Sequence, residues 1–278
     1  ILKAAVLNGG PMLAVNGIGW FGENGIRYVV DQIGGSTAFG LMAVGWGLGR
    51  RSASVASMLV AVAAFPIAAR LINAGDRDAA LEQLKTNAAL LTAVLLPSVA
   101  GLWLVTDILV DLAVAETYRD VTRSILGLAA FGGMVRAYHA HATGQMLTLD
   151  RRYGLLVIVG LFEIVATTGL AVVGFSVNYL VGVVVGALIA SCLTLAFSAT
   201  LAIRLCGFRF PAADTVRIAF ATAVMGGAVY TIDWPHTALG LVGATLIGGL
   251  SYVMALAAVY YKRLPPLVGL ITGKIAGT

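Results

Sequence analysis

Residues 37–71 read TAFGLMAVGWGLGRRSASVASMLVAVAAFPIAARL, an apolar and small-residue run with Arg50 and Arg51 at its middle. As one helix rising about 1.5 Å per residue, it is long enough to cross a hydrocarbon core of about 30 Å. Two adjacent guanidinium groups at that depth cost roughly 2.5–3.5 kcal/mol each on insertion scales. They are tolerable there only if they face protein, water or an anion. The stretch therefore predicts a transmembrane helix bordering a cationic, water-filled chamber.

The rest of the chain extends this reading. Of 278 residues, 59% are hydrophobic and 11% charged, and the mean hydropathy is +0.93. A soluble domain of this size carries much more charge. Thirty-four glycines suit close helix packing in lipid. Apolar runs predict eight spans, at 4–32, 37–71, 88–109, 121–149, 153–174, 177–203, 216–232 and 237–261. The expected fold is an all-α polytopic bundle of about eight transmembrane helices. Residues 1–203 are expected as a six-helix bundle. Residues 204–278 add two helices and a short cytoplasmic tail, loose from Leu264 onward.

The net charge of +5 is a topology signal rather than a nucleic-acid footprint. Basic residues are not interleaved with aromatics in the way that binds single strands. Twelve of the 18 lysines and arginines sit at one set of span ends, and only Arg119 and Arg123 at the other. By the positive-inside rule both termini are cytoplasmic, and the loops near Gly34, Glu116, Ser176 and Asp233 face outward. The chain opens on Ile1 and enters a span at once, with no signal-peptide pattern. It is expected to be a piece of a longer protein lacking its N-terminal part.

The connections carry their own signals. In NAGDRDAALEQLKTN (73–87), Asp76 can cap a cytoplasmic extension of the third span. TDILVDLAVAETY (106–118) predicts a short amphipathic outer helix bearing Asp107, Asp111 and Glu116. GFSVN and TIDWPH predict tight outer turns, with Trp234 anchored at the interface. Cys192 lies in a span and Cys206 at a span end, so no disulfide is expected. His139 and His141 have no Cys or carboxylate near them in sequence, so no metal is expected, and no cofactor is implied. GWGLG lacks the strand–GxGxxG–helix setting of a dinucleotide loop. Gly45 and Gly49, like Gly182 and Gly186, read instead as GxxxG packing pairs. Pro66 and Pro97 predict kinks. No ATPase motif, Ser–His–Asp set or pair of approaching carboxylates points to an enzyme.

Four segments in order resemble a known family. They are NGIRYVVDQIGGSTAFGLMAVGWGLG (24–49), FPIAARLINAGDRDAALEQLK (65–85), LLPSVAGLWLVTDILVDLAVAETY (95–118) and GQMLTLDRR (144–152). They are similar to polysaccharide and oligosaccharide-lipid flippases of the multidrug/oligosaccharidyl-lipid/polysaccharide superfamily, over about residues 16–152. Gly35 and Phe39 stand where that family commonly has Pro and a later Tyr. The resemblance implies the second half of a transporter with two pseudo-symmetric bundles around a central cavity. It implies a bacterial plasma-membrane setting and a lipid-linked oligosaccharide substrate. Membrane lipids and polysaccharide polymerase or export machinery would be its partners.

Charged residues inside the spans are the candidate site. Glu23, Arg27 and Asp31 recur every four residues, so Arg27 can pair with either acid on one helix face. That is an ion-pair ladder or a proton-sensitive latch. Arg50 and Arg51 diverge by about 100°. One can face a cavity while the other pairs or snorkels, or both can be neutralised by acids on neighbouring spans. Arginine suits a phosphate or pyrophosphate head group, which it binds bidentately while staying charged. Arg136 shares a helix face with His139 and not with His141; the histidines read as a hydrogen-bonded polar patch. Glu163 either pairs with an arginine or titrates. The substrate-binding candidates are thus Arg27, Arg50, Arg51 and Arg136, and the ion-coupling candidates Glu23, Asp31 and Glu163. The function expected is inner-to-outer-leaflet flipping of a polyprenyl-pyrophosphate oligosaccharide for cell-surface polysaccharide synthesis. The alternatives are a multidrug/cation antiporter, which would favour acids in its cavity, and a membrane sugar polymerase or glycosyltransferase, which would want large outer loops.

Overall fold

The computed structural model describes residues 2–261, with side chains from Leu13 onward except at 63 and 64; the tail from Leu264 lies outside the described residues. Helix runs over Leu2–Asn73 but breaks at Gly35, whose φ of 75° lies in the left-handed region that disfavours a side chain. The break makes an antiparallel hairpin of α1 (2–34) and α2 (36–73). Glu23 of α1 lines the same cavity as Arg50 and Ser57 of α2. A one-residue break at Gly35, in Gly34–Gly35–Ser36, is enough to reverse the chain.

Helix α3 (Arg77–Leu104) is the expected extension and span in one piece, capped by the Asp76 carboxylate accepting from the Ala79 N–H at 3.0 Å. The short α4 (Thr106–Ala113) follows, then a 3₁₀ turn at Glu116–Tyr118. Helix α5 (119–149) runs from Arg119–Tyr138 through a π turn at His139–Thr143 into Gly144–Leu149. A second long helix, Tyr153–Leu201, breaks at Asn178 and Tyr179, where Tyr179 takes a φ of 42°. It folds back as α6 (153–177) and α7 (180–201), and Gly174 and Gly182 touch through their backbones. The turn therefore falls at the end of GFSVN rather than across it. Ser176 donates to the Val173 carbonyl at 2.7 Å, which keeps its hydroxyl satisfied inside the helix. Helices α8 (Ala212–Tyr230) and α9 (Ala238–Tyr260) complete the chain.

Among the described residues five helices are long and apolar enough to cross a membrane, and two of these are the broken ones, each supplying a pair of arms. With α5 the described spans number eight, as expected, and no strand occurs among the described residues. The main core joins α1, α2, α5, α6 and α7 through Ile26, Met42, Trp46, Ile125 and Leu180. Trp234, expected to anchor at the interface, donates its indole N–H to the Val229 carbonyl at 2.9 Å and lies over Gly243.

The GxxxG expectation holds. A Cβ at Gly49 would lie 2.7 Å from the Ala130 nitrogen and the Leu126 oxygen of α5, and one at Gly133 2.9 Å from Ala53. Gly49→Ala must push α2 away from α5. It is expected to cost about 1–3 kcal/mol, read as a lower thermal midpoint in detergent. Gly169→Ala, with nothing within 4 Å of the new methyl, is the control and should melt like the parent.

The ends of the helices sort by charge. The connections carrying the basic residues meet at one end. There Arg77 donates to both oxygens of Asp150 at 2.7 and 3.1 Å and to the Cys206 carbonyl at 3.0 Å. Arg77 holds the Asp150 carboxyl below the usual carboxylate range. This knot fastens the start of α3 to the α5–α6 connection and to the end of α7.

Candidate functional site

A polar cavity of about 250 Å³ opens between α1, α2 and α5, lined by Glu23, Arg50, Ser54, Ser57, Arg136 and His141 among others. Arg50, Ser54 and Ser57 follow a four-then-three spacing and so share one face of α2. Gly133 lets the opposing helix come close beside Arg50: a Cβ there would sit 2.9 Å from the Ala53 Cβ and 3.4 Å from the Arg50 Cα.

Arg50 is 9% exposed, with its guanidinium 4.9 Å over the ring of Trp46. Neither a hydrogen bond nor an ion pair engages it among the described residues. Stacking on an indole orients the guanidinium and leaves its five N–H donors for something else. Arg136 is different. It donates to Glu163 at 2.9 Å and to the Gly19 carbonyl at 2.7 Å. Its side chain is 15% exposed and that of Glu163 is 6% exposed. The carboxylate and the α1 carbonyl satisfy one side of the guanidinium, and the cavity meets the rest.

The other candidates separate. Arg51 is exposed, on the α2 face that also exposes Leu48, Val55 and Met58, and does not line the cavity. The expectation that Arg50 and Arg51 part company is met, and Arg50 faces inward. The ladder of Glu23, Arg27 and Asp31 is not formed: no ion pair joins them among the described residues. Arg27 reaches instead toward α2, where its Nη2 would lie 3.8 Å from a Cβ on Gly47, and its buried Nε has no partner. The α1–α2 hairpin gives Arg27 a helix to lean on, which competes with the i,i+4 acids. Glu23 faces the cavity, and Asp31 lies near the hairpin tip, away from it.

One sequence expectation changes in part: His141, read as lying off the Arg136 face, lines the cavity beside it, while the His139 Nδ1 is buried without a partner. The π turn is the reason. The Gly144 N–H reaches back five residues to the His139 carbonyl. This local widening turns His141 toward Arg136, while His139, at the start of the turn, keeps its i,i+3 relation to it. Sequence reading also missed Ser54 and Ser57, although their spacing from Arg50 was the available signal.

Across α2 from the cavity lies an apolar groove of about 450 Å³ between α2, α3, α8 and α9, walled by Ser52, Pro97, Leu102, Met225, Val229 and Tyr252 among others. Pro97 has no N–H, which frees the Ala93 carbonyl one turn earlier. The Tyr252 hydroxyl donates to that carbonyl at 2.7 Å, fastening α9 to α3. One helix thus carries a cationic cavity on one side and an oily groove on the other, with Arg51 on the exposed strip between.

The chain is similar in fold to a lipid flippase. The structure in question is the lipid II flippase MurJ in an inward closed conformation, at a TM-score of 0.69 and 16% identity. The similarity covers 86% of this chain and 53% of that one. The chain thus spans about half the length of the structure it matches. No protein-family profile matches the sequence, and no curated protein matches it. The likeness establishes the fold, a multi-pass all-helical bundle, as the resemblance read from the sequence implied.

Proposed function

We propose that this chain is the second bundle of a flippase that moves a lipid-linked oligosaccharide from the cytoplasmic to the outer leaflet of a bacterial plasma membrane, feeding cell-surface polysaccharide synthesis. A second bundle completes the cavity, and both termini of this chain are cytoplasmic. The observation that carries the reading is Arg50: a buried, unpaired guanidinium, held over Trp46 and facing a polar cavity. An unpaired buried cation persists where an anion is its partner for part of the cycle. A pyrophosphate offers that partner, and arginine binds phosphate oxygens in a bidentate fork. The groove on the other side of α2 suits the polyprenyl chain of the same molecule. The likeness to a flippase of lipid II supports a lipid-linked substrate. Alternating access then exposes the cavity to each side in turn.

The cation-antiporter reading is disfavoured by the cavity's charge. Glu23 faces both Arg50 and Arg136, and Glu163 is already bound to Arg136. A direct test uses proteoliposomes carrying a fluorescent polyprenyl-pyrophosphate oligosaccharide. The protein is expected to expose inner-leaflet label to a membrane-impermeant quencher and to leave cationic dyes untransported. Dye transport without lipid movement would reverse the assignment.

A further inference from the structure

Helices α8 and α9 are fastened to the bundle at two polar points that flank the groove. Within the membrane, Tyr252 holds the proline-freed Ala93 carbonyl. At the end of the bundle opposite the Arg77–Asp150 knot, the α8–α9 connection brings His236 Nδ1 to 2.6 Å from Asp111 Oδ2 of α4. Asp111 also pairs with Arg123 of α5, and Arg119 donates to the Asp111 and Val114 carbonyls at 2.9 and 3.0 Å. Between the two fastenings lies the groove, with Pro97, Ser98 and Leu102 of α3 on one wall and Thr245 and Gly248 of α9 on the other.

We propose that His236 and Asp111 form a proton-sensitive clasp that sets the width of the groove, tight when His236 is protonated and loose when it is neutral. The proposal rests on reading the groove as the seat of the substrate's lipid chain. The charged groups gathered at this end are Asp107 and Asp111 of α4 and Arg119, Asp120 and Arg123 of α5. Glu116, in the 3₁₀ turn, and Asp233, on the connection that carries His236, stand exposed. Arg123 draws on Asp107, Asp111 and Asp120 together, at 3.5 Å from the first and 3.6 Å from the last. The carboxylates therefore outnumber the guanidinium groups, and an imidazolium answers the excess. The His236 side chain is 54% exposed.

The sign follows from the two partners. Asp111 is held below the usual carboxylate range, first by the His236 hydrogen bond and then by Arg123, so it stays charged as the pH falls toward that range. Imidazole loses its charge between about pH 5 and 8. With the imidazole neutral, its Nδ1–H still donates to the Asp111 carboxylate, so the contact keeps a hydrogen bond and loses the attraction between two full charges.

Spin labels on S98C and T245C, one on each wall of the groove, report its width in the 278-residue chain in lipid nanodiscs. Cys192→Ser and Cys206→Ala remove the native thiols. The pulsed-EPR distance is expected to lengthen by about 2 Å, the scale of interfacial helix shifts, between about pH 5.5 and about pH 8. H236Q should show the longer distance at both values and H236K the shorter at both. An unchanged distance in the unsubstituted clasp, or a pH response that survives H236Q, overturns the proposal. The measurement needs no substrate. Lost lipid transport with an intact pH response removes the flippase reading and leaves the clasp, whereas intact transport with a flat response does the reverse.

Discussion

Glu163→Ala is expected to lower folding stability by about 3–5 kcal/mol, the usual cost of stripping one partner from a buried ion pair. Arg136 would keep the Gly19 carbonyl and lose the one carboxylate that pairs with it among the described residues. The pair joins α5 to α6, and the Gly19 contact adds α1, so three spans loosen together. For a chain of this size the thermal midpoint should fall by on the order of 10 °C. Arg136→Met combined with Glu163→Met should recover most of that loss, because an apolar pair of similar volume avoids both desolvation costs. A midpoint for Glu163→Ala equal to that of the parent would show that the carboxylate does not hold Arg136. A strong stability role also separates the two readings that sequence left open for Glu163, a fixed counter-ion or a titrating coupling site.

Arg50→Ala should do the opposite: leave stability unchanged or slightly raised, and abolish most transport. The substitution removes an unpaired buried cation, which relieves the resting protein. It also removes a charge-assisted contact to phosphate worth about 1.5–3 kcal/mol, a loss of roughly 10- to 100-fold in head-group affinity. Arg50→Lys should recover part of the binding, because an ammonium keeps the charge but cannot present a planar fork or stack as well on Trp46. Arg51→Ala, on the exposed strip, should have the smaller effect. Flipping rates in proteoliposomes, read beside thermal midpoints, check both signs. Full activity in Arg50→Ala and Arg51→Ala alike would remove the head-group role.

Much of the architecture was legible because it is written in consecutive residues. The eight spans follow from apolar length, the α3 extension from Asp76 and the residues after it, and close packing at Gly45 and Gly49 from their spacing of four, though not its partner helix. The divergence of Arg50 and Arg51 follows from helical periodicity alone. The pairing of the charges was not legible. Glu163 meets Arg136 across 27 positions, and Arg27 turns away from acids one turn along its own helix because the hairpin brings Gly47 closer. Periodicity also misplaced His141, since the π turn that starts at His139 shifts the side chains after it around the axis of α5.

By itself, then, the sequence determined that this is a membrane bundle with cations buried in its spans, because hydropathy and helix period are sums over neighbours in the chain. Only the tertiary structure decided which cation is answered by a carboxylate and which is left facing an open cavity. That outcome depends on how helices cross, and two guanidinium groups with the same local surroundings in sequence can end opposite entirely different neighbours.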